Sequence, residues 1–117
     1  MKSDPGTTSG PPQIAMPGIV YGTAWKKERT AGLVNEALKS GFRGIDTACQ
    51  PKHYDEAGVG EGIAMWLRAG GRRDALYLQT KFTSLSGQDP RRIPYEAHAP
   101  LAEQIEQSLQ ASLRNLG

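Results

Sequence analysis

Past about residue 16 the chain alternates between two hydrophobic patterns, short apolar runs and longer stretches whose apolar residues recur every three to four positions. The first pattern is that of a strand, the second that of one face of a helix. Ile19, Val20 and Tyr21, closed by Gly22, read as a first strand. Residues 28–40 carry Leu33, Val34, Ala37 and Leu38 on one helical face, and Gly41 stands where a helix end takes a left-handed residue. A second strand is predicted over 42–46. A second helix follows over 56–69, with Val59, Ile63, Trp66 and Leu67 at helical spacing and Gly70-Gly71 at its end. Residues 74–82 read as a third strand, in which Leu76, Leu78 and Thr80 alternate against Tyr77 and Gln79. A long loop over 83–100, punctuated by Gly87, Pro90, Pro94 and Pro100, leads to a third helix over 101–116. That helix is apolar at Leu101, Ile105, Leu109 and Leu113, with Leu116 alongside. Each helical stripe reads as a face packed into a core.

Strands that alternate with amphipathic helices imply an α/β fold of right-handed βαβ units on a parallel sheet. Residues 1–15, rich in Ser, Thr, Gly and Pro, cannot bury enough apolar surface to offset ordering and read as a disordered tail. Residues 16–117 form the folded part.

Composition narrows the function classes. At 117 residues, 38% hydrophobic and 22% charged, the chain has the make-up of a soluble domain or part of one. A net charge of +2, with basic doublets at Lys26-Lys27, Arg72-Arg73 and Arg91-Arg92 interleaved with acids, describes a solvated surface rather than a nucleic-acid footprint. No apolar run is long enough for a membrane span. The N-terminal residues lack the apolar core of a secretory signal, so the cytoplasm is the expected compartment. Cys49 is the sole cysteine, which rules out an intrachain disulfide and a cysteine-based metal framework; it reads as a small, half-buried filler. No metal site is expected.

In parallel α/β barrels, reactive groups come from the C-terminal ends of strands and the loops after them. Asp46 closes the second strand, Tyr54 lies in the loop after it, and Lys81 closes the third strand. Singly, each has a plain structural reading: Asp46 caps a turn, Tyr54 packs on the second helix, Lys81 points to water. Together they make chemical sense. A phenol ionises near pH 10 and is a weak proton donor at neutrality. An adjacent ammonium favours the phenolate, and a carboxylate paired with that ammonium holds it in place. The glycine-rich run Ala57-Gly58-Val59-Gly60-Glu61-Gly62 follows a loop rather than a strand and is not a dinucleotide fingerprint.

Several ordered segments carry a family resemblance: Gly22-Thr23, Gly41-Phe42-Arg43-Gly44-Ile45-Asp46-Thr47-Ala48, Tyr54-Asp55-Glu56 with Val59-Gly60, Thr80-Lys81 and the closing Ser112-Leu113-Arg114-Asn115-Leu116-Gly117. Over 17–117 the chain resembles the N-terminal portion of the aldo-keto reductases, NADP-dependent oxidoreductases that reduce aldehydes and ketones. The resemblance implies the first three βα units of a TIM-type (β/α) barrel, incomplete here. It implies Tyr54 as proton donor to the carbonyl oxygen, Lys81 as the group that lowers its pKa, and Asp46 as the partner of Lys81. It also implies Gly22, Thr23 and Asp46 at the cofactor, NADPH as hydride source, and a small-molecule carbonyl substrate. The sequence departs from the family pattern in three places. Five residues, not two, separate Asp-Thr-Ala from Tyr54. Ala24 precedes Trp25, which either lines the substrate pocket or covers the barrel rim. The family's catalytic histidine belongs to a fourth strand, past Gly117, and His53 and His98 lie on loops elsewhere.

A closed barrel takes eight strands and about 250 residues. A three-unit piece is therefore expected to be inactive alone, and its open sheet edges invite self-association. The alternative is a non-catalytic fragment or interaction piece.

Overall fold

A computed structural model describes residues 15–117, so nearly all of the expected tail, residues 1–14, lies outside the described residues. Three strands, β1 (Tyr21–Gly22), β2 (Gly44–Asp46) and β3 (Tyr77–Gln79), form a parallel sheet in the order β1-β2-β3. Their register places Tyr21 against Ile45, Gly22 against Asp46, and Asp46 in turn against Gln79. Three helices accompany them: α1 (Thr30–Lys39), α2 (Glu56–Arg68) and α3 (Leu101–Leu116). This is the expected α/β arrangement of consecutive parallel βα units.

Glycine stops the first two helices as the sequence foretells. At α1 the Gly41 N–H donates to the Leu38 carbonyl and the Phe42 N–H to the Ala37 carbonyl, with Gly41 at φ 113°. At α2 the Gly70 N–H donates to Leu67 and the Gly71 N–H to Trp66, with Gly70 at φ 111°. Both are Schellman endings, which satisfy the last carbonyls and turn the chain toward the next strand. At its start α2 is capped by Asp55, whose carboxylate accepts from the Gly58 N–H at 3.0 Å. The first helix begins later than expected, because 27–29 form a 3-10 turn closed by the Thr30 hydroxyl on the Lys27 carbonyl.

Val34 and Leu38 of α1, Val59, Ile63 and Trp66 of α2, Ile45 of β2 and Leu76 before β3 form the core. Tyr21, Leu67, Leu78 and Leu116 pack around it. A methyl group on Gly62 would stand 2.6 Å from the Ala31 carbonyl oxygen, so α1 and α2 touch through backbone there. Leu38 is fully buried, and Leu38→Ala is expected to lower stability by about 2–5 kcal/mol, read from the urea midpoint of the purified chain.

The strands are shorter than predicted. The first is displaced by two residues, because only Tyr21 and Gly22 find partners on β2 and Ile19 is left exposed. The third covers three residues, since Arg73–Ala75 form a 3-10 turn, with Arg72 paired to Asp74, in place of its first part. Lys81 consequently follows β3 by two residues rather than closing it. Sheet-like pairing nonetheless runs on past the ladder: the Thr47 N–H donates to the Gln79 carbonyl at 2.8 Å and the Cys49 N–H to the Lys81 carbonyl at 2.9 Å.

The largest correction concerns α3. Its stripe of Leu101, Ile105, Leu109 and Leu113 is not in the core but between 45% and 60% exposed. The buried residues are Gln104, Ser108, Ala111 and Ser112. The reason is what α3 rests on. It packs against α2 and the 83–100 loop, which offer polar groups: Gln104 donates to the carbonyls of Ala97 and Ala99, and Asn115 donates to Glu56. Small Ser108 and Ser112 permit that approach, while the apolar surface of the sheet is already covered by α1 and α2.

Candidate functional site

Asp46, Tyr54 and Lys81 come together at the C-terminal ends of the strands. Asp46 is the last rung of the ladder, held between Gly22 and Gln79. Its carboxylate accepts from Lys81 Nζ at 2.7 Å through both oxygens. The same Nζ lies 5.6 Å from the centroid of the Tyr54 ring. The ammonium thus sits between a carboxylate and a phenol, with Asp46 shielded more than Lys81. Tyr54 is carried by a turn in which both the His53 and Tyr54 N–H groups donate to the Gln50 carbonyl. The longer loop therefore still delivers the phenol ring to the lysine.

Two members of this constellation carry no sequence motif. Gln79 donates to Asp46 Oδ1 at 2.7 Å and so shares the carboxylate with Lys81. The signal was its spacing, two residues before Lys81 on the same face of an extended segment. Glu56, buried at the start of α2, accepts from the Thr80 hydroxyl and from Asn115 Nδ2. It ties the residue before Lys81 and the end of α3 to the helix that Tyr54 precedes. A buried carboxylate among neutral donors is tolerated here by the positive end of α2.

Gly22 is exposed, with open space where a side chain would stand. Thr23 is fully buried, and both its N–H and its hydroxyl bind the Asp46 carbonyl. It thus acts on the site by fixing the Asp46 backbone. Gly22, Asp46, Gln79 and Lys81 border a cleft of about 360 Å³ on the sheet. Trp25 is 64% exposed. It lines a second cleft, of about 370 Å³, together with Tyr54, and lies tilted against the His53 ring with centroids 4.0 Å apart. His98 lies on the 83–100 loop and lines neither cleft.

That loop is well tied. Tyr95 donates to the Thr83 carbonyl at 2.6 Å and stacks on Phe82, while Gln50 donates to Gly87 at 2.8 Å. Beneath it Cys49 is buried rather than half-buried. Burial pushes its thiol above the ordinary value and the nearby Glu56 carboxylate adds to this, while hydrogen bonds with Ser108 and Ser112 pull the other way. Cys49 is therefore expected to stay unmodified by a thiol reagent at pH 8 in the native chain and to react fully once urea unfolds it. Among the described residues, no group of three or more His, Cys, Asp and Glu side chains could hold a metal, and no helix is long and apolar enough to cross a membrane.

No protein-family model matches the sequence, and no curated protein matches it. Solved structures do. An aldo/keto reductase from Brucella melitensis is 30% identical over 84% of this chain, with a TM-score of 0.59. A Bombyx mori aldo-keto reductase in complex with NADP is 27% identical over 87%, with a TM-score of 0.66. An aldo-keto reductase from a Medee basin deep-sea metagenome library is 28% identical over 89%, with a TM-score of 0.62. The chain spans about a third of each of these proteins: 32%, 31% and 32% of their lengths. Its fold is that of part of a TIM-barrel aldo-keto reductase.

Proposed function

We propose that this chain is the opening three βα units of an NADPH-dependent aldo-keto reductase, in which Tyr54 donates the proton to a carbonyl oxygen. The observation that carries the reading is the Lys81 ammonium, bound by the Asp46 carboxylate at 2.7 Å and facing the Tyr54 ring. A cation so placed stabilises the negative charge that develops on the phenol oxygen as its proton passes to the carbonyl. Asp46 and Gln79 keep the cation in place, and Thr23 fixes the Asp46 backbone. NADPH, when bound, supplies hydride to the carbonyl carbon. The open surface at Gly22 and the cleft of about 360 Å³ beside Asp46 leave room for a flat ring, which supports Gly22 and Asp46 as its neighbours. Trp25, on the cleft it shares with Tyr54, is assigned to the substrate. The lone free thiol fits the reducing cytoplasm.

For the 117 residues alone we infer no turnover. Among the described residues there are three strands, with β1 and β3 each paired on one side, and α3 keeps its leucine stripe in solvent. Self-association through those sheet edges belongs to the same reading. The test is calorimetric titration of the chain with NADPH and an aldehyde-reduction assay. Both are run on the chain alone and after mixing with a polypeptide supplying the remaining barrel of a solved neighbour. Reduction that requires both pieces supports the proposal. No reduction from pieces that are folded and associated would overturn it.

A further inference from the structure

We infer that the carbonyl substrate of this site carries an anionic group, a carboxylate or a phosphate, received by Lys27 and Lys52. The inference rests on the reductase reading above and deepens it to a substrate class.

The cleft of about 370 Å³ that holds Tyr54 and Trp25 is also lined by Lys27, Lys52, His53 and Arg92. Its size is that of a small-molecule site. Its charges are unbalanced. The one acid among its lining residues, Asp55, is engaged in capping α2 at 3.0 Å from the Gly58 N–H. Arg92 has Asp89 at 3.5 Å. Lys27 and Lys52 form no ion pair among the described residues. Two unpaired ammonium groups on one concave surface repel each other, and an anion seated between them relieves that repulsion.

Backbone geometry gives the second argument. Among the described residues only two that are not glycine have positive φ, Trp25 at 65° and Lys27 at 52°, and both line this cleft. A side chain in that region is strained, and such strain persists where surrounding contacts impose it. Here the Trp25 N–H donates to the His53 carbonyl at 2.8 Å and the indole packs, tilted, against the imidazole. The 23–27 turn is thereby clamped to the loop carrying Lys52 and Tyr54. An aromatic wall, two unpaired cations and the phenol are held on one surface, which suits a ligand with a planar or apolar body and a negative end.

The test uses the 117-residue chain and the indole N–H resonance of Trp25, identified by its loss in Trp25→Phe. The chain is titrated at low salt with 4-carboxybenzaldehyde and with its neutral methyl ester, then with glyceraldehyde 3-phosphate and with glyceraldehyde. Exposed ion pairs are individually weak, so two lysines together are expected to favour the anion by about tenfold. The arm with the larger preference identifies carboxylate or phosphate. The preference should shrink as salt rises. In Lys27→Gln/Lys52→Gln it should fall below about twofold, each substitution keeping an exposed polar side chain. Equal affinity for acid and ester and for the phosphate and its parent, a preference that survives in the double variant, or no shift of Trp25 with any compound would overturn the inference. Equal reduction of charged and neutral compounds by the completed barrel would overturn it too while sparing the reductase reading. Anion-selective binding supports it, and a completed barrel that binds selectively yet reduces nothing would count against the reductase reading alone.

Discussion

Gly60→Val is expected to unfold most of the chain under conditions where the parent is native. Gly60 lies in α2 where α3 crosses it, and a Cβ there would overlap the Asn115 carbonyl oxygen and come within 3.1 Å of Leu116 Cα. Those are backbone atoms near the end of a helix and cannot swing aside as a side-chain tip would. The helices would have to separate, which breaks the Asn115–Glu56 hydrogen bond at 3.0 Å and lifts Leu116 off the core. Overpacking of this kind costs about 1–3 kcal/mol even where some relaxation is available, and more where backbone meets backbone. Removing a helical glycine returns only about 1 kcal/mol. Gly32, on the exposed side of α1 with nothing within 4 Å of its Cβ position, isolates the second effect. Gly32→Ala should raise the urea midpoint while Gly60→Val lowers or abolishes it. A folded Gly60→Val chain with an unchanged midpoint would mean that α2 and α3 do not meet at this glycine.

Tyr54→Phe is expected to lower kcat of the completed barrel by about 10²–10⁴-fold, the range for loss of a general acid, with KM changed little. The substitution removes the hydroxyl and keeps the ring, so the contact of Lys81 Nζ with the ring face is retained. The Lys81–Asp46 pair does not involve the tyrosine and should persist. Lys81→Met should also depress kcat, because it removes the cation that faces the phenol. A Tyr54→Phe enzyme with ordinary kcat would remove Tyr54 from the proton transfer, whatever the geometry around it.

The parts of the fold that local chemistry dictates were legible in the sequence. Gly41 and Gly70 stop helices because only a residue free of Cβ enters the left-handed region cheaply, and that is independent of the rest of the fold. The stripe of α2 reads correctly since Val59, Ile63 and Trp66 face a sheet. The stripe of α3 misleads because periodicity reports which face is apolar, not what lies opposite it. Among the described residues its partner is a polar loop and helix, so Ser108 and Gln104 go inside. Strand lengths were overestimated for a related reason: a ladder needs a partner residue at each rung, and Ile19 has none. At the site, Asp46, Tyr54 and Lys81 stood out through their positions after strands. Gln79 and Glu56 did not, because their roles come from neighbours distant in sequence, Asp46 for one, Thr80 and Asn115 for the other.

The two tryptophans occupy opposite surroundings. Trp66 is 7% exposed, with the Arg43 guanidinium 5.0 Å from its ring, while Trp25 lies in solvent against an imidazole. Their emission should accordingly differ in colour and in access to quenchers, with Trp66 blue-shifted and shielded from iodide and Trp25 red-shifted and readily quenched. Melting of the core would then be seen through one chromophore and events at the cleft through the other, in a single unlabelled sample.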